Sequence, residues 1–376
     1  MRIAREICAP LYAPDPNSLD LTQHLFAAID WLKRAQDAGT DRGVSVGVRF
    51  GSGFMESYPE TTGYICRTFV ELAQDGCEKE LLDRAVQMGL WEVDIQMADG
   101  AVMGGPFSRN PTPAVFNTGM VMLGWNALIQ STGEERFKVA CRRAADWLLS
   151  VQETNGNWVR GNSKFVVQGA TLYNVKAAWG LCEAGRLLGR QEYIEAALRN
   201  ANFCLSRQER NGWFRDCCLT DPVHPLLHTI AYTMQGLLEI GKLTQRDDLI
   251  AAVRRTADAE MEIMREDGFL PGRQGSNFSG SVDWCCITGS AQTSVVWSDL
   301  FLLTDDRKYL DAVRKINRFI MARHDIRNAD SRLRGGVPGS WPTWAPYGRL
   351  TVLNWATKYL VDALSSQRRI EERGAA

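Results

Sequence analysis

With 376 residues and a 45% hydrophobic share, the chain can bury a large core, as two ordinary domains or one repeat-built domain. Its 43 basic and 44 acidic residues leave a net charge of −1, which argues against a nucleic-acid binder, since such proteins carry a basic excess. No apolar run reaches the roughly 18 residues of a membrane span.

The N-terminal stretch Met1 to Cys8 lacks an apolar core of signal-peptide length, so a cytoplasmic protein is expected. The ten cysteines lie scattered in helical stretches (Cys66, Cys141, Cys182, Cys204) or adjacent (Cys217-Cys218, Cys285-Cys286). With no C-x-x-C they read as buried reduced thiols. The four histidines show no metal-ligand spacing, and neither a metal nor a cofactor is expected.

In chain order, Asp15-Pro16-Asn17-Ser18 predicts the cap of a first helix over Leu19 to Ala38, with residues 1–17 as a tail. This helix carries Trp31, followed five residues later by Gln36. The frame returns at Trp91 to Gln96, Trp147 to Gln152 and Phe203 to Gln208, and in degraded form at Met261 to Glu266 and Phe319 to His324, every 56 to 60 residues. Turns such as Asp99-Gly100, Asn155-Gly156, Asn211-Gly212 and Asp267-Gly268 follow it.

A second series of helices, apolar nearly all round, is interleaved with the first. These begin after Glu60, Asn117, Asn174, His228 and Thr288, with a sixth near Leu350. Helices apolar on all faces are buried, and charge-striped ones lie on the surface. The pattern predicts twelve helices, alternately outer and inner: an all-α (α/α)6 toroid forming one domain over residues 18–366, with 367–376 as a second tail.

Loops leading into the inner helices are long, and loops leaving them are short, such as Asp75-Gly76-Cys77-Glu78. All six long loops must therefore crowd one rim, together with six helix N-termini, whose free N–H groups favour anions. Long loops in compact domains are usually functional.

The first carries Arg42, Arg49 and Ser57-Tyr58-Pro59-Glu60-Thr61-Thr62-Gly63; proline at a first helical position starts the inner helix there. Later loops bring Arg109; Trp158, Arg160 and Lys164; Trp213 and Arg215; Arg273, Asp283 and Trp284; and Trp341 and Trp344.

Glu60 and Asp283 both stand just before or at an inner helix and are candidates for the two carboxyl groups of glycoside hydrolysis. Tyr58 and His228 are candidates for proton transfer. Arg49, Arg109, Arg215 and Arg273 could grip carboxylates bidentately. Trp158, Trp213, Trp284, Trp341 and Trp344 could stack on sugar rings, and Asn117, Tyr173 and Asn174 could orient hydroxyls. The partner these residues point to is a carbohydrate.

On this frame the chain resembles the six-hairpin, (α/α)6-toroid glycosidase-like superfamily, which includes unsaturated glucuronyl hydrolases, sugar 2-epimerases and polysaccharide lyases. Ser57 to Gly63, Leu227-His228-Thr229-Ile230-Ala231-Tyr232 and Thr288-Gly289-Ser290-Ala291-Gln292 look like a bacterial group associated with exopolysaccharide or capsule clusters. The resemblance implies glycan chemistry. Of the epimerases' several histidines only His228 is in place. The aromatic-to-glutamine frame also resembles terpene cyclases and protein prenyltransferases, but no Asp-x-Asp-Asp or zinc-ligand set accompanies it.

The leading expectation is a hydrolase-like enzyme acting on an anionic, uronic-acid-containing glycan. Lyase or epimerase chemistry through Tyr58 and His228 is the alternative, and a non-catalytic glycan-binding scaffold a third.

Overall fold

The computed structural model describes residues 19–163, 166, 167, 169 and 171–375, so the expected N-terminal tail and Lys164 lie outside the described residues. Among them are twelve α-helices. The outer ones are α1 (Leu21–Asp37), α3 (Glu80–Ile95), α5 (Glu135–Ser150), α7 (Gln191–Leu205), α9 (Asp247–Ile263) and α11 (Arg307–Met321). The inner ones are α2 (Pro59–Gln74), α4 (Val115–Thr132), α6 (Val175–Leu188), α8 (Leu227–Thr244), α10 (Ile287–Thr304) and α12 (Asn354–Ala375).

Each inner helix packs on the next, and α12 returns to α2, which closes the ring. Two short antiparallel pairs brace the long-loop end. The strand β1 (Gly47–Arg49) pairs with β4 (Thr351–Leu353), and β2 (Cys285–Cys286) pairs with β3 (Ser340–Trp341).

The recurring glutamine is a staple between repeats. Gln96 Nε2 donates to the turn carbonyl of Gly100 at 2.9 Å and to Ala140 of the next outer helix at 3.0 Å. Gln152 does the same to Gly156 and Ala196, and Gln208 to Gly212 and Ala252. An arginine of the neighbouring helix donates back to each glutamine carbonyl: Arg143, Arg199 and Arg255.

The sixth copy replaces glutamine with His324. Its Nε2 meets the Gly335 carbonyl at 2.8 Å, and its Nδ1 reaches His24 of α1 at 3.0 Å, so the degraded frame joins the last repeat to the first. A methyl group on Gly335 would strike the Ala27 backbone as one on Gly100 would strike Arg143, the same seam repeated.

The inner ring is tight because small residues sit where helices cross. A Cβ on Gly63 would lie 2.4 Å from Val121 Cα, and one on Gly119 would lie 2.3 Å from Ala177 Cα. The matching contacts, Gly63 on Val121 and Gly119 on Ala177, also fix how the repeats superpose.

Two boundaries differ from expectation. The first helix is capped by Asp20, whose carboxylate accepts from Gln23 N at 3.0 Å, because this carboxylate sits one residue before the helical turn. Residues 367–375 are not a tail but the end of α12, held by buried Gln367 and Ile370 and by an Arg314–Glu371 ion pair at 3.0 Å. No helix is long and apolar enough to cross a membrane among the described residues.

Candidate active site

Pro59 opens α2 and holds Tyr58 extended before it, at φ −121° and ψ 110°. The Tyr58 hydroxyl then reaches back over the first turn and donates to Glu60 Oε2 at 2.6 Å. Equivalent starts of the other inner helices converge on the same space. Together they enclose a cavity of about 160 Å³ lined by Tyr58, Glu60, Phe116, Asn117, Ser163, Tyr173, Leu219, His228, Thr229, Tyr232, Tyr347 and Trp355.

Its wall is a chain of aromatic rings. Tyr58 meets Trp355 edge-on at 6.0 Å, and the Trp355 indole donates to the Tyr347 hydroxyl at 2.9 Å. Tyr347 lies 5.6 Å from His228, His228 4.3 Å from Tyr232, Tyr232 4.8 Å from Phe116, and Phe116 5.2 Å from Tyr173. Aromatic faces with a few fixed polar groups are the usual make-up of a small-molecule pocket.

A second layer lies one helical turn below the first, because residues four apart share a helix face. Beneath Glu60, Phe116, His228, Thr288 and Trp355 come Tyr64, Met120, Tyr232, Gln292 and Tyr359. On α6 the corresponding residue is Lys176, next to the Ala177 that packs on Gly119.

Electrostatics separate the two acid–base groups. Burial raises the Glu60 carboxyl to about 7, against the opposing pull of the Tyr58 hydrogen bond and the Lys176 charge. Burial lowers His228 to about 3. Its Nδ1 lies 2.6 Å from Gln292 Oε1. A carbonyl can only accept, so Nδ1 carries the hydrogen and Nε2 keeps its lone pair. A carboxyl that titrates near neutral pH and an imidazole that stays neutral there thus line one cavity. Among the described lining residues Glu60 is the sole carboxyl, and none is Lys or Arg.

Of the residues expected from the sequence, Tyr58, Glu60, Asn117, Tyr173 and His228 come together here. Asn117 is buried and donates to the Met103 carbonyl at 2.9 Å. The others stand outside the lining.

Asp283 is exposed, ahead of the β2–β3 pairing, which anchors its loop away from the cavity. Asn174 is buried and donates to Asn162 at 2.9 Å. Trp158 is buried, its indole donating to Leu148 O at 2.9 Å. Trp213 packs edge-on to Phe278 at 5.3 Å, and Trp284 fills the space a side chain at Gly272 would need.

Arg215 is exposed near Glu209, and Arg273 donates to His224 O at 2.6 Å and to Thr220 at 3.1 Å. Arg49 and Arg109 are exposed on the first two long loops. Trp341 is half-buried under Arg323, and Trp344 is 45% exposed.

The wall residues Phe116, Tyr232, Tyr347 and Trp355 were not anticipated. Phe116, Tyr232 and Trp355 sit at the mouth of an inner helix or one turn below it, and Tyr347 stands on the long loop ahead of α12.

No protein-family model matches the chain, and no curated protein matches it in sequence. Solved structures do. An unsaturated glucuronyl hydrolase specific for heparin superposes with a TM-score of 0.75 at 15% identity, over 94% of this chain and 98% of that one. A cellobiose 2-epimerase from Bacillus thermoamylovorans gives 0.72 at 9%, over 92% and 98%. A D-mannose isomerase gives 0.71 at 12%, over 93% and 97%. What they share with this chain is the fold, an (α/α)6 toroid.

Proposed function

We propose that the protein is a carbohydrate-active enzyme that moves a proton on a single sugar ring, with Glu60 as general acid and His228 as general base. One observation carries the reading: Glu60, its carboxyl raised by burial to about 7, and the neutral imidazole of His228 line one aromatic-walled cavity at the long-loop rim. The aromatic faces suit the apolar face of a sugar ring, and Asn117 and the tyrosine hydroxyls suit its hydroxyls. Structural neighbours that act on sugars through the same fold support the assignment.

Two outcomes of one acid–base pair are separable. If the base draws its proton from a ring carbon, the product is an epimer or isomer. If it draws the proton from water, the product is a cleaved glycoside. Hydrolysis ordinarily employs two carboxyl groups, and a lining with one carboxyl and one imidazole favours the first outcome. The glucuronyl hydrolases among the neighbours favour the second, with His228 rather than Asp283 beside Glu60.

Arg49 and Arg109, exposed on the rim, would serve acidic groups of a longer glycan outside the cavity rather than the ring within it. The free thiols of the nine described cysteines fit a cytoplasmic setting.

Proton NMR in deuterium oxide, over a panel of mono- and disaccharides including unsaturated uronides, tests the proposal. Deuterium uptake at a ring carbon without cleavage marks the first outcome, and release of a free sugar marks the second. Neither, on any sugar shown to bind, overturns the enzymatic reading.

A further inference from the structure

Directly beneath the cavity floor lies a group the acid–base pair does not account for. Lys176 is fully buried, projecting from the first turn of α6 into the toroid axis. Its Nζ donates to Gln235 Oε1 at 2.6 Å and to the Tyr359 hydroxyl. The same nitrogen faces the rings of Tyr232 at 4.5 Å, Tyr359 at 4.7 Å and Tyr64 at 5.9 Å.

An ammonium inside aromatic faces is held by their quadrupoles, more strongly where water is excluded. Two oxygen acceptors and four rings, Trp179 at 5.9 Å being the fourth, make a cage built for a cation. Tyr64, which forms one side of it, is the residue one turn below Glu60 on α2.

We propose that Lys176 is a positioning residue for Glu60: its caged ammonium is the fixed countercharge against which the Glu60 carboxyl gives up and regains its proton during turnover. The inference rests on Glu60 acting as the acid of the sugar site. When Glu60 passes its proton to the substrate it becomes a carboxylate in a buried setting, with no arginine or lysine among the described lining residues to receive the charge. A cation one turn below, separated from the cavity by tyrosine rings, stabilises that carboxylate without contacting the sugar. The proton then returns to Glu60 from His228 or from water, and Lys176 itself transfers nothing.

The charged groups around Lys176 are Glu60 and Arg67 on α2, and Lys358 and Asp362 on α12; α8 contributes the neutral Tyr232 and Gln235. Burial and Lys358 push Lys176 well below the usual lysine value, and Asp362 and Glu60 pull the other way and favour its charged form. The ammonium is therefore held most firmly when Glu60 is ionised, the moment at which it is needed.

The test reads the titration of Glu60 without any substrate, so it stands apart from the question of whether the cavity acts on sugars. Carbon-13 NMR of glutamate-labelled protein, with the Glu60 signal assigned from its loss in Glu60→Gln, is followed across pH in wild type, Lys176→Met and Lys176→Arg.

The expected result is an upward move of the Glu60 midpoint by at least about one pH unit in Lys176→Met, with Lys176→Arg close to wild type. An unchanged or lowered midpoint in Lys176→Met overturns the proposal. Should Lys176→Met not fold, Lys176→Gln is read in its place. A Lys176→Arg protein that titrates like the uncharged variants also overturns it. With a substrate in hand, the alkaline limb of kcat/KM should move with the NMR midpoint, which a merely structural role for Lys176 would not produce.

Discussion

The toroid has two ends, and each holds a cavity. At the short-loop end the inner helices enclose about 220 Å³, more than the cavity around Glu60. Its lining holds four cations, and each meets a carboxylate. Arg67 lies 2.7 Å from Glu71, Lys242 2.8 Å from Glu239, and Arg369 3.3 Å from Asp75, while Lys358 pairs with Asp362.

Three of these pairs lie within one helix, Arg369–Asp75 ties α12 to the end of α2, and Arg67–Glu183 at 2.8 Å and Lys242–Asp299 at 3.4 Å cross between helices, so the charges are spent on structure. The cavity at the long-loop end is smaller, and among its described lining residues the single carboxyl meets only a phenol. Reactivity follows from the unmatched group rather than from cavity size, since an acid with no ion-pair partner in its cavity can hold a proton at neutral pH and release it on demand.

That contrast predicts opposite sensitivities at the two ends. Glu60→Gln should lower turnover of an accepted sugar by about 10²- to 10⁴-fold, the usual worth of a positioned acid. Asp299→Asn, which alters the other buried carboxyl raised to about 7, should leave turnover unchanged. Equal losses in steady-state assays would erase the distinction.

The pH profile sharpens it further. Glu60 must be protonated to act as acid, so kcat/KM should fall as pH rises through about 7, while the His228 limb lies near 3.

The scaffold common to both ends should respond alike at each. Gly63→Ala places a methyl group 2.4 Å from the Val121 backbone, where no side chain can yield. Over-packing of this kind costs about 1 to 3 kcal/mol. Chemical denaturation should show that loss, and a variant as stable as wild type would mean that the α2–α4 crossing is looser than the geometry demands.

A third experiment concerns the charges buried away from either cavity. Burial raises Glu260 to about 8, and its Oε2 accepts from Gln274 at 2.7 Å. The folded protein therefore keeps a proton that the unfolded chain has lost above its ordinary value, and stability must fall as pH rises from about 4.5 to 8. Glu60 acts in the same direction up to about 7, as does Glu92, which burial raises well above the usual carboxylate value.

The neutral buried histidines work oppositely. His24, lowered to about 4, and His228 and His324, lowered to about 3, cost stability as pH drops below 6.5. Between 6.5 and 8 the carboxyls dominate. Glu260→Gln should flatten the decline there by at most about 1.4 kcal/mol per pH unit. Unfolding titrations at several pH values measure it, and an unaltered slope would place the proton elsewhere.

The ring was legible because its signals are local. An aromatic residue with a glutamine five positions on, a turn glycine, and alternating charge and apolarity each lie within one repeat. What the glutamine does was hidden, since its second partner lies a whole helix further along the chain. His324 looked like decay of the frame, yet it joins the last repeat to the first.

At the proposed site, loop length pointed to this rim and to Tyr58, Glu60 and His228, which line one cavity there. Phe116, Tyr232 and Trp355 were indistinguishable from core residues of apolar helices until the ring was closed. Lys176 reads in sequence as an ordinary polar residue near a helix start. Asp283 misled by proximity: it precedes its helix by four residues, and a short strand intervenes.

The loop tryptophans make the smallest and most discriminating comparison. Trp158, Trp213 and Trp284 are buried, each wedged under its own loop, whereas Trp344 is 45% exposed at the rim. Removing a wedged ring opens a hole in the fold, and aromatic-to-alanine changes in cores cost about 3 to 5 kcal/mol.

Removing Trp344 opens nothing. Trp344→Ala should leave the melting temperature within error and, if a sugar unit beyond the cavity stacks there, raise KM a few-fold for an oligosaccharide while leaving a monosaccharide untouched. The split between substrate lengths is the informative reading. An equal rise for both would place Trp344 over the cavity mouth, and no rise for either would confine sugar recognition to the aromatic wall around Glu60.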